Sequence, residues 1–599
     1  MTISFDTIPA NVLTPFVTAE FNSSRAMQSA AALAFKALLI GQATGGTADA
    51  NSLHRVTSAD AVAVLAGRGS QLHRMAIAWF FARPTVEIWI GVLVDNAAAV
   101  NATGTITPTG TATGAGTISL LIGGNLVEVA VATGDTAGTI ATAIAAAIGK
   151  HATGTITCTA VDAADAVNVA GVSFVATAGA VTPGDATFSI DTGNPEAAAS
   201  LCSQIKAHAV ASRAVRPEVS SNVVTVYARA KGTAGNSVVL TSTDGSDLAV
   251  TGSGTLAGGV GVGSSLPVHA TVNSTVVTAH ALNAGAVGNE LDLRVNYQRG
   301  EELPAGVTLA FAQPSGGATN PTLTALITAM GERWFNVIAH PYTDATSLAA
   351  LETELTSRAG PMRMIDGYAI TAKDAAYATV TTLGESRNSG YSSIVRTGES
   401  PTPPAECAAH IAAVAAGAAE TDPARPFQTL ALPYIKAPAE ADRDSNTARD
   451  LLLKAGVATM RVGAGDQMQI ERLVSTYRFS AAGSPDTAYR DSNTAFTLSY
   501  LRYTFCVQVA NKYPRHKLAD DGTRAAAGQA IMTPSLGRAE AVTWFDRMEK
   551  LGLVEGIDQF KDELIVERDE TDRNRLNFYL PPDLMNQLVV VAAQVGFRL

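Results

Sequence analysis

The chain has 599 residues, of which 47% are hydrophobic and 16% charged, with 52 glycines and only 6% aromatics. That length holds about three to five domains, and the composition excludes a disordered chain while predicting turn-rich β-modules. Forty-two Lys+Arg against 53 Asp+Glu leave a net charge of −11, which supplies no sustained basic face and argues against nucleic acid as a main partner.

In chain order, residues 1–30 read as an extended arm. Pro9 and Pro15 forbid a continuous helix, and Ile3, Phe5, Ile8, Val12 and Phe16 give the arm apolar side chains that it cannot bury alone. Residues 31–97 alternate strand and helix. An apolar run fills 34–40, Ser58 caps a helix over 59–65, Ser70 caps another through Phe81, and 86–94 is a Val/Ile-rich strand. This is the first part of an α/β core.

Composition shifts at residue 98. From there to 320 the chain is rich in Thr, Gly, Val and Ala, with short strands expected at 117–121, 127–131, 173–175 and 223–228. Two internal repeats stand out. Ala102-Thr103-Gly104-Thr105-Ile106-Thr107 recurs from Ala152 to Thr157. Val223-Val224-Thr225, with Gly235-Asn236, recurs as Val276-Val277-Thr278 with Gly288-Asn289. The order is open, open, close, close. It predicts a β-module at 151–265 nested inside another, together forming a β-rich inserted outer region. Each opening half also carries a helix, at 135–148 and 195–208.

Residues 321–435 return to a strand–helix rhythm, the second part of the core. Strands are expected at 334–338, 364–370, 391–395 and 428–432, with helices at 344–358, 373–383 and 404–416. Repeated βα units predict a parallel sheet. Residues 436–582 read as an α+β domain. Helices are expected at 445–454, 491–513 and 539–551, strands at 457–462 and 469–479, and a strand pair at 563–567 and 576–580. Pro581-Pro582 then breaks the chain before a C-terminal strand or arm at 583–599. Val589, Val591, Val595 and Phe597 fall on one face of that strand and Leu588 on the other. Such a strand at a terminus is an aggregation hazard unless it is paired.

The sequence holds no anchor for catalytic chemistry. Cys158, Cys202, Cys407 and Cys506 are far apart and form no C-x-x-C, so they read as four buried thiols made in a reducing cytoplasm. His54, His73, His151, His208, His269, His280, His340, His410 and His516 form no metal or protease motif. Asp191-Thr192-Gly193 has no second copy to make a dyad and reads as a hairpin turn. Gly67-Arg68-Gly69-Ser70 lacks the lysine and spacing of a phosphate loop and reads as a turn plus cap. The basic cluster Arg515-His516-Lys517 is neutralised at once by Asp520 and Asp521 and reads as an interface or salt-bridged loop. The start MTISFDTIPANVL lacks the pattern of a signal peptide, and the Ala-rich run 411–419 is too short to cross a bilayer. No enzyme, cofactor, metal or membrane insertion is expected.

Four strings carry a family resemblance. They are IPANVLTPFVTAEFNSSRA near the start, LPYIKAP at 432–438, YPRHKLADDGTR at 513–524, and the ending RLNFYLPPDLMNQLVVVAAQVGFRL. With them the chain resembles the contractile tail sheath proteins of tailed phages, in the branch with Mu-like tails. The resemblance covers both ends and most of 31–97 and 321–599. Part of that family's core is named subtilisin-like, but no H-G-T or G-T-S occurs here, so no protease activity is implied. The resemblance implies stacked hexameric rings that polymerise helically around a tail tube protein, with the baseplate and a tail terminator as further partners. It also implies a virion location after assembly in the host cytoplasm, contraction that drives the tube through the envelope, and terminal arms that add strands to a neighbour's sheet. Two readings compete: a β-module surface or adhesin-type structural protein, and a degenerate hydrolase.

Overall fold

The computed structural model describes residues 33–82, 86–149, 151–252, 254–259, 265–524, 526 and 528–598. Two compact units emerge, one from Phe35–Thr497 with Asn586–Leu599, the other built around Leu498–Met585. The fold is mixed α/β with several separate sheets.

An eight-stranded sheet organises the first unit. Its spatial order is Leu53–Val56, Glu87–Leu93, Lys36–Gln42, Val337–Ala339, Tyr368–Lys373, Ser392–Arg396, Val457–Val462 and Met468–Arg472. The inner pairs are parallel and the outermost pair at each edge is antiparallel. Ala37–Gln42 is buried throughout, which is why this strand reads as a continuous apolar run rather than an alternating one. Two helices start at the caps expected from the sequence, Ser58 and Ser70, and two more are capped by Asp344 and Ser445, the first residues of stretches read as helical. Ser58 accepts from the Ala61 N–H at 3.2 Å, Ser70 from His73 at 3.1 Å, Asp344 from Ser347 at 2.9 Å and Ser445 from Ala448 at 3.2 Å. Each such cap stabilises its helix by about 1 kcal/mol. The Ala-rich run at 411–419 lies in the Pro404–Thr421 helix. It packs on both the Gln71–Ala82 helix and the Tyr368–Lys373 strand, and it is buried almost all round. Small side chains there permit close approach on several sides.

Three strand expectations are corrected. Residues 428–432 form no continuous strand: the chain turns at Gln428–Thr429, with Thr429 at φ 66°, and only Ala431 bridges antiparallel to Gln469. The segment lies along Met468–Arg472 and caps that edge through Thr429 N–H to Ile470 O and Ile470 N–H to Leu430 O. The strand expected over 469–479 stops at Arg472, because the backbone beyond it bonds elsewhere: Ser475 N–H to Arg490 O and Thr476 N–H to Ser392 O. No strand forms at 588–598, since no segment of the described chain pairs with it. Asp583–Leu584 instead pair with Val554–Glu555.

The repeats fold as two β-modules with matching registers. The Thr103–Gly110 strand lies between Val276–Ala281 and Val307–Ser315. Its counterpart, His151–Cys158, lies between Val223–Lys231 and Leu248–Val250. Val277 opposes Ile106 and Ala279 opposes Gly104 in the first module. In the second, Val224 opposes Ile156 and Val226 opposes Gly154. The glycine of TGTIT serves the same purpose in both: a Cβ on Gly104 would lie 2.8 Å from Leu293 Cδ1, and one on Gly154 would lie 2.5 Å from Leu240 Cδ2. Each module has its own core. Ile106, Ile118, Ile140, Ile144 and Val277 sit in one, and Ile156, Phe174, Phe188, Leu201 and Val224 in the other.

In the second unit the Pro534–Lys550 helix packs its Trp544 and Phe545 inward. Phe505 meets Trp544 and Phe578 at ring distances of 5.3 and 5.4 Å, and Phe545 stacks on Phe560 at 4.0 Å. Gly537 leaves room for Val566, Leu576 and Phe578, which seats the hairpin of Ile565–Arg568 and Leu576–Tyr579 on the helix.

Candidate assembly surfaces

In an open α/β sheet, ligands bind outside the carboxyl ends of the strands where the strand order reverses. Here that place is beside Lys36–Gln42, which has Glu87–Leu93 on one side and Val337–Ala339 on the other. The β-rich insertion packs over it. Gln42 Nε2 donates to Ala284 O at 2.6 Å and to Asp95 at 2.8 Å. Asn283 Nδ2 donates to Ala43 O at 3.0 Å, and Gln71 N–H donates to Asn283 Oδ1 at 2.8 Å. A cavity of about 40 Å³ remains beside Gln42 and Asn283, and a second of about 370 Å³ lies between the strand ends at Ala43, Val94 and Asp95 and Lys206, Arg213 and Arg229 of the insertion.

The remaining chemical candidates are accounted for locally. Gly67-Arg68-Gly69-Ser70 is a turn whose Gly69 N–H donates to His73 Nδ1 at 3.0 Å. Burial, aided by Arg68 and Arg74, pushes His73 down to about 4. His410 Nδ1 lies 2.9 Å from Ala78 O. Asp191-Thr192-Gly193 forms an exposed turn, but it leads into the Asn194–Ala207 helix and is not a hairpin. Lys517–Leu518 pair with Ile531–Met532. Asp520 bridges to Arg568 and Arg573 rather than to its basic sequence neighbours. Cys158, Cys202 and Cys407 are buried, whereas Cys506 is exposed on its helix, contrary to expectation. Among the described residues no group of His, Cys, Asp or Glu could hold a metal, and no helix is long and apolar enough to cross a membrane.

The C-terminal segment is different. Leu588, Val591, Val595 and Phe597 are all exposed, Val591 by 78% and Phe597 by 82%, and Val589 is half-buried. The tail touches the body where Gln428 Nε2 donates to Leu588 O at 3.0 Å. Its apolar side chains thus face solvent in a row, with only Arg598 charged. Ile3, Phe5, Ile8, Val12 and Phe16 lie outside the described residues.

A second open feature is the hairpin of Ile565–Arg568 and Leu576–Tyr579. Among the described residues no third strand pairs with either side. Ile565 and Tyr579 stand opposite each other and both are exposed. Two parallel rows of backbone donors and acceptors are therefore available to an added strand.

Residues 316–476 match the family model of the phage tail sheath protein central domain, and residues 484–598 match that of the phage tail sheath C-terminal domain. The whole chain is 32% identical over 600 residues to the Mu-like prophage FluMu tail sheath protein of Haemophilus influenzae, covering 100% of both chains. The chain belongs to the phage tail sheath protein family. Crystal structures of sheath tail proteins from Desulfitobacterium hafniense and Listeria innocua are also similar. Each is 10% identical, with TM-scores of 0.41 and 0.40. The first match covers 96% of this chain and 97% of that one, the second 93% of each.

For a sheath protein the sequence left one surface unread. The edge of the Ile565–Arg568 hairpin is set by a charged turn, and that turn marks a strand pair without saying whether a third strand joins it. The seam between the two β-modules was also invisible. There Arg216 and Tyr227 oppose each other across one strand pair, and His269 and His280 oppose each other at the matching positions of the other. These equivalent pairs pack together. Arg216 Nη2 lies 3.1 Å from His269 Nε2, the His269 and His280 rings stack at 4.7 Å, and the Tyr227 ring lies 5.2 Å from that of His269.

Proposed function

We propose that this sheath protein is the repeating subunit of a contractile phage tail sheath, polymerising as stacked hexameric rings around a tail tube. The observation that carries this reading is the C-terminal tail: a row of apolar, β-prone side chains with no strand partner in its own described chain. The full-length likeness to a Mu-like tail sheath protein supports it. The tail of one subunit adds a strand to an open edge of the hairpin at Ile565–Arg568 and Leu576–Tyr579 of its neighbour. The N-terminal arm, through Ile3, Phe5, Ile8, Val12 and Phe16, makes a second link. Strand addition uses backbone hydrogen bonds, so the links persist while the linked bodies rotate. Two packings of one sequence that differ by a modest free energy per subunit then store work across a long polymer, without nucleotide or metal. The baseplate triggers the change, a terminator closes the far end, and the tube is driven through the envelope.

In this reading 31–97 and 321–435 form the sheath core, and 98–320 is an outer region carrying the nested module 151–265. The C-terminal domain expected at 436–582 is narrowed to the unit built around Leu498–Met585, because Val457–Val462 and Met468–Arg472 belong to the core sheet, and 1–30 and the tail are the arms. The protein is not an enzyme. The full-length likeness to a tail sheath protein supports this. Negative-stain microscopy of the purified protein tests the assembly reading. Tubes of uniform width are expected, and a protein that stays monomeric at every concentration and salt condition tried contradicts it.

A further inference from the structure

The larger cavity at the carboxyl ends of the core strands is lined by positive charge. Its space of about 370 Å³ lies where Lys36–Gln42 and Glu87–Leu93 run into the loops at 43–50 and 94–101, and the nested module roofs it with Lys206, Arg213, Arg216 and Arg229. That volume is in the range of about 300–1,000 Å³ usual for small-molecule sites. The core loop and the nested module meet closely here. Gly45 sits at φ 81°, and a Cβ on it would stand 2.6 Å from Arg213 O and 3.6 Å from Arg229 Cδ. Asp49 and Val94, both exposed, leave the cavity open to solvent.

Arg229 is the odd member of this lining. Its side chain is only 10% exposed, and its Nη2 stands 3.5 Å from Asp95 Oδ2. Nε donates to Ser212 O at 2.6 Å and to Val215 O at 3.3 Å. Nη1 finds no hydrogen-bond partner among the described residues. Asp95 is a divided counter-charge, because its other oxygen accepts from Gln42 Nε2 at 2.8 Å and from Asn283 Nδ2 at 3.4 Å. Lys206 reaches Ala99 O at 3.4 Å and makes no ion pair among the described residues. Arg213 is paired with Asp49 and Arg216 with Glu218. Four cations thus meet three carboxylates, and the surplus rests on Lys206 and Arg229. A buried guanidinium N–H without an acceptor is costly. Water can accept that bond but cannot answer the charge, whereas an oxyanion does both.

We propose that this cavity binds a phosphate group, as free inorganic phosphate or as a small phosphomonoester, held by Arg229 Nη1 and Lys206 Nζ. A tetrahedral oxyanion offers acceptors in several directions, which suits two donors on different elements: Lys206 near the end of the Asn194–Ala207 helix and Arg229 on the Val223–Lys231 strand. The bound group ties the nested module to the core loops at 43–50 and 94–101. This site lies within one subunit and is independent of the assembly reading.

The test is calorimetric titration of the full-length protein, dialysed free of phosphate into a chloride buffer, with inorganic phosphate and separately with glycerol 3-phosphate. Saturable binding of one phosphate group per chain is expected. Equal affinity for the two probes identifies free phosphate as the occupant, and tighter binding of the ester identifies a phosphomonoester. Arg229→Gln should weaken binding roughly tenfold or more, the loss of one hydrogen bond between charged partners. Because Arg229 also bonds two backbone carbonyls, Lys206→Gln provides the second arm. Lys206 is half-buried and makes one long bond, so this variant should melt like wild type without ligand and still bind phosphate more weakly. Lys550→Gln, which removes an exposed lysine paired with Asp546 in the other unit, should bind as wild type. Three results overturn the site: no saturable binding of either probe, wild-type affinity in the folded Lys206→Gln variant, or tighter binding of malonate than of phosphate.

Discussion

Asn236 and Asn289 occupy matching places in the two β-modules and make the same two hydrogen bonds. Asn236 Oδ1 accepts from Gly259 N–H at 2.8 Å, and its Nδ2 donates to Gly259 O at 3.2 Å. Asn289 Oδ1 accepts from Gly317 N–H at 2.7 Å, and its Nδ2 donates to Gly317 O at 2.9 Å. Beside them Gly235 packs on Ala152 and Ala228, as Gly288 packs on Ala102 and Ala281. The recurring Gly-Asn is thus a clamp that closes each module's return loop. Asn236→Ala should cost about 1–2 kcal/mol by leaving both backbone groups of Gly259 unpaired. Urea unfolding of the full chain measures it, and an unchanged midpoint contradicts the clamp.

The repeat was legible because both halves of the clamp are sequence-local signals: TGTIT opens a strand and Gly-Asn closes a loop. The helix caps at Ser58 and Ser70 were legible for the same reason, since each bonds within three residues of itself. What could not be read depends on distant partners. The 428–432 segment is apolar enough for a strand and lies along the edge of Met468–Arg472, but it bends at Thr429, which leaves a single bridge at Ala431. The final apolar run is β-prone, yet it lacks a second strand in its own described chain. Strand propensity states what a segment can do and is silent on whether a partner exists.

Gly154→Ala places a methyl group 2.5 Å from Leu240 Cδ2 and 2.8 Å from Leu256 Cδ2. Overpacking of this kind costs about 1–3 kcal/mol. Gly104→Ala should cost a comparable amount through Leu293 in the outer module. Thermal unfolding of the two variants compares them. If either one is as stable as the wild type, the leucine does not depend on the missing Cβ.

The seam between modules should weaken in acid. Burial pushes His280 down to about 4, with Glu218 opposing the shift and Arg216 adding to it. His151, His269, Tyr227, Arg216 and Glu218 surround the joint. The folded state holds His280 neutral while the unfolded chain takes up a proton near 6.5. Stability from this group is therefore present above about pH 6.5 and is lost progressively as pH falls toward 4. His280→Gln should flatten that part of the stability profile, measured by urea unfolding at pH 7, 6 and 5. An identical pH slope in the variant contradicts the assignment.

Along the tail, Val591→Lys should weaken assembly more than Gln594→Lys, because Val591 falls on the more apolar face of an added strand. Burying one such valine contributes roughly 1.5–3 kcal/mol, and a lysine in its place forfeits it. Sedimentation of assembled protein ranks the two variants. Equal loss from both would show that the tail does not dock as a strand with one buried face.

The most direct measurement is sedimentation and microscopy of a chain ending at Met585, beside the full-length protein. Ending there keeps the Asp583–Leu584 ladder with Val554–Glu555 and the Met585 N–H bond to Leu553 O at 3.1 Å, so the second unit retains its own contacts. The shortened chain should unfold at the same temperature as the full-length protein, stay in the supernatant, and form no tubes where the full-length chain forms them. Full-length tubes from the shortened chain would show that contacts between subunit bodies hold the sheath together and that the tail does not link its neighbours.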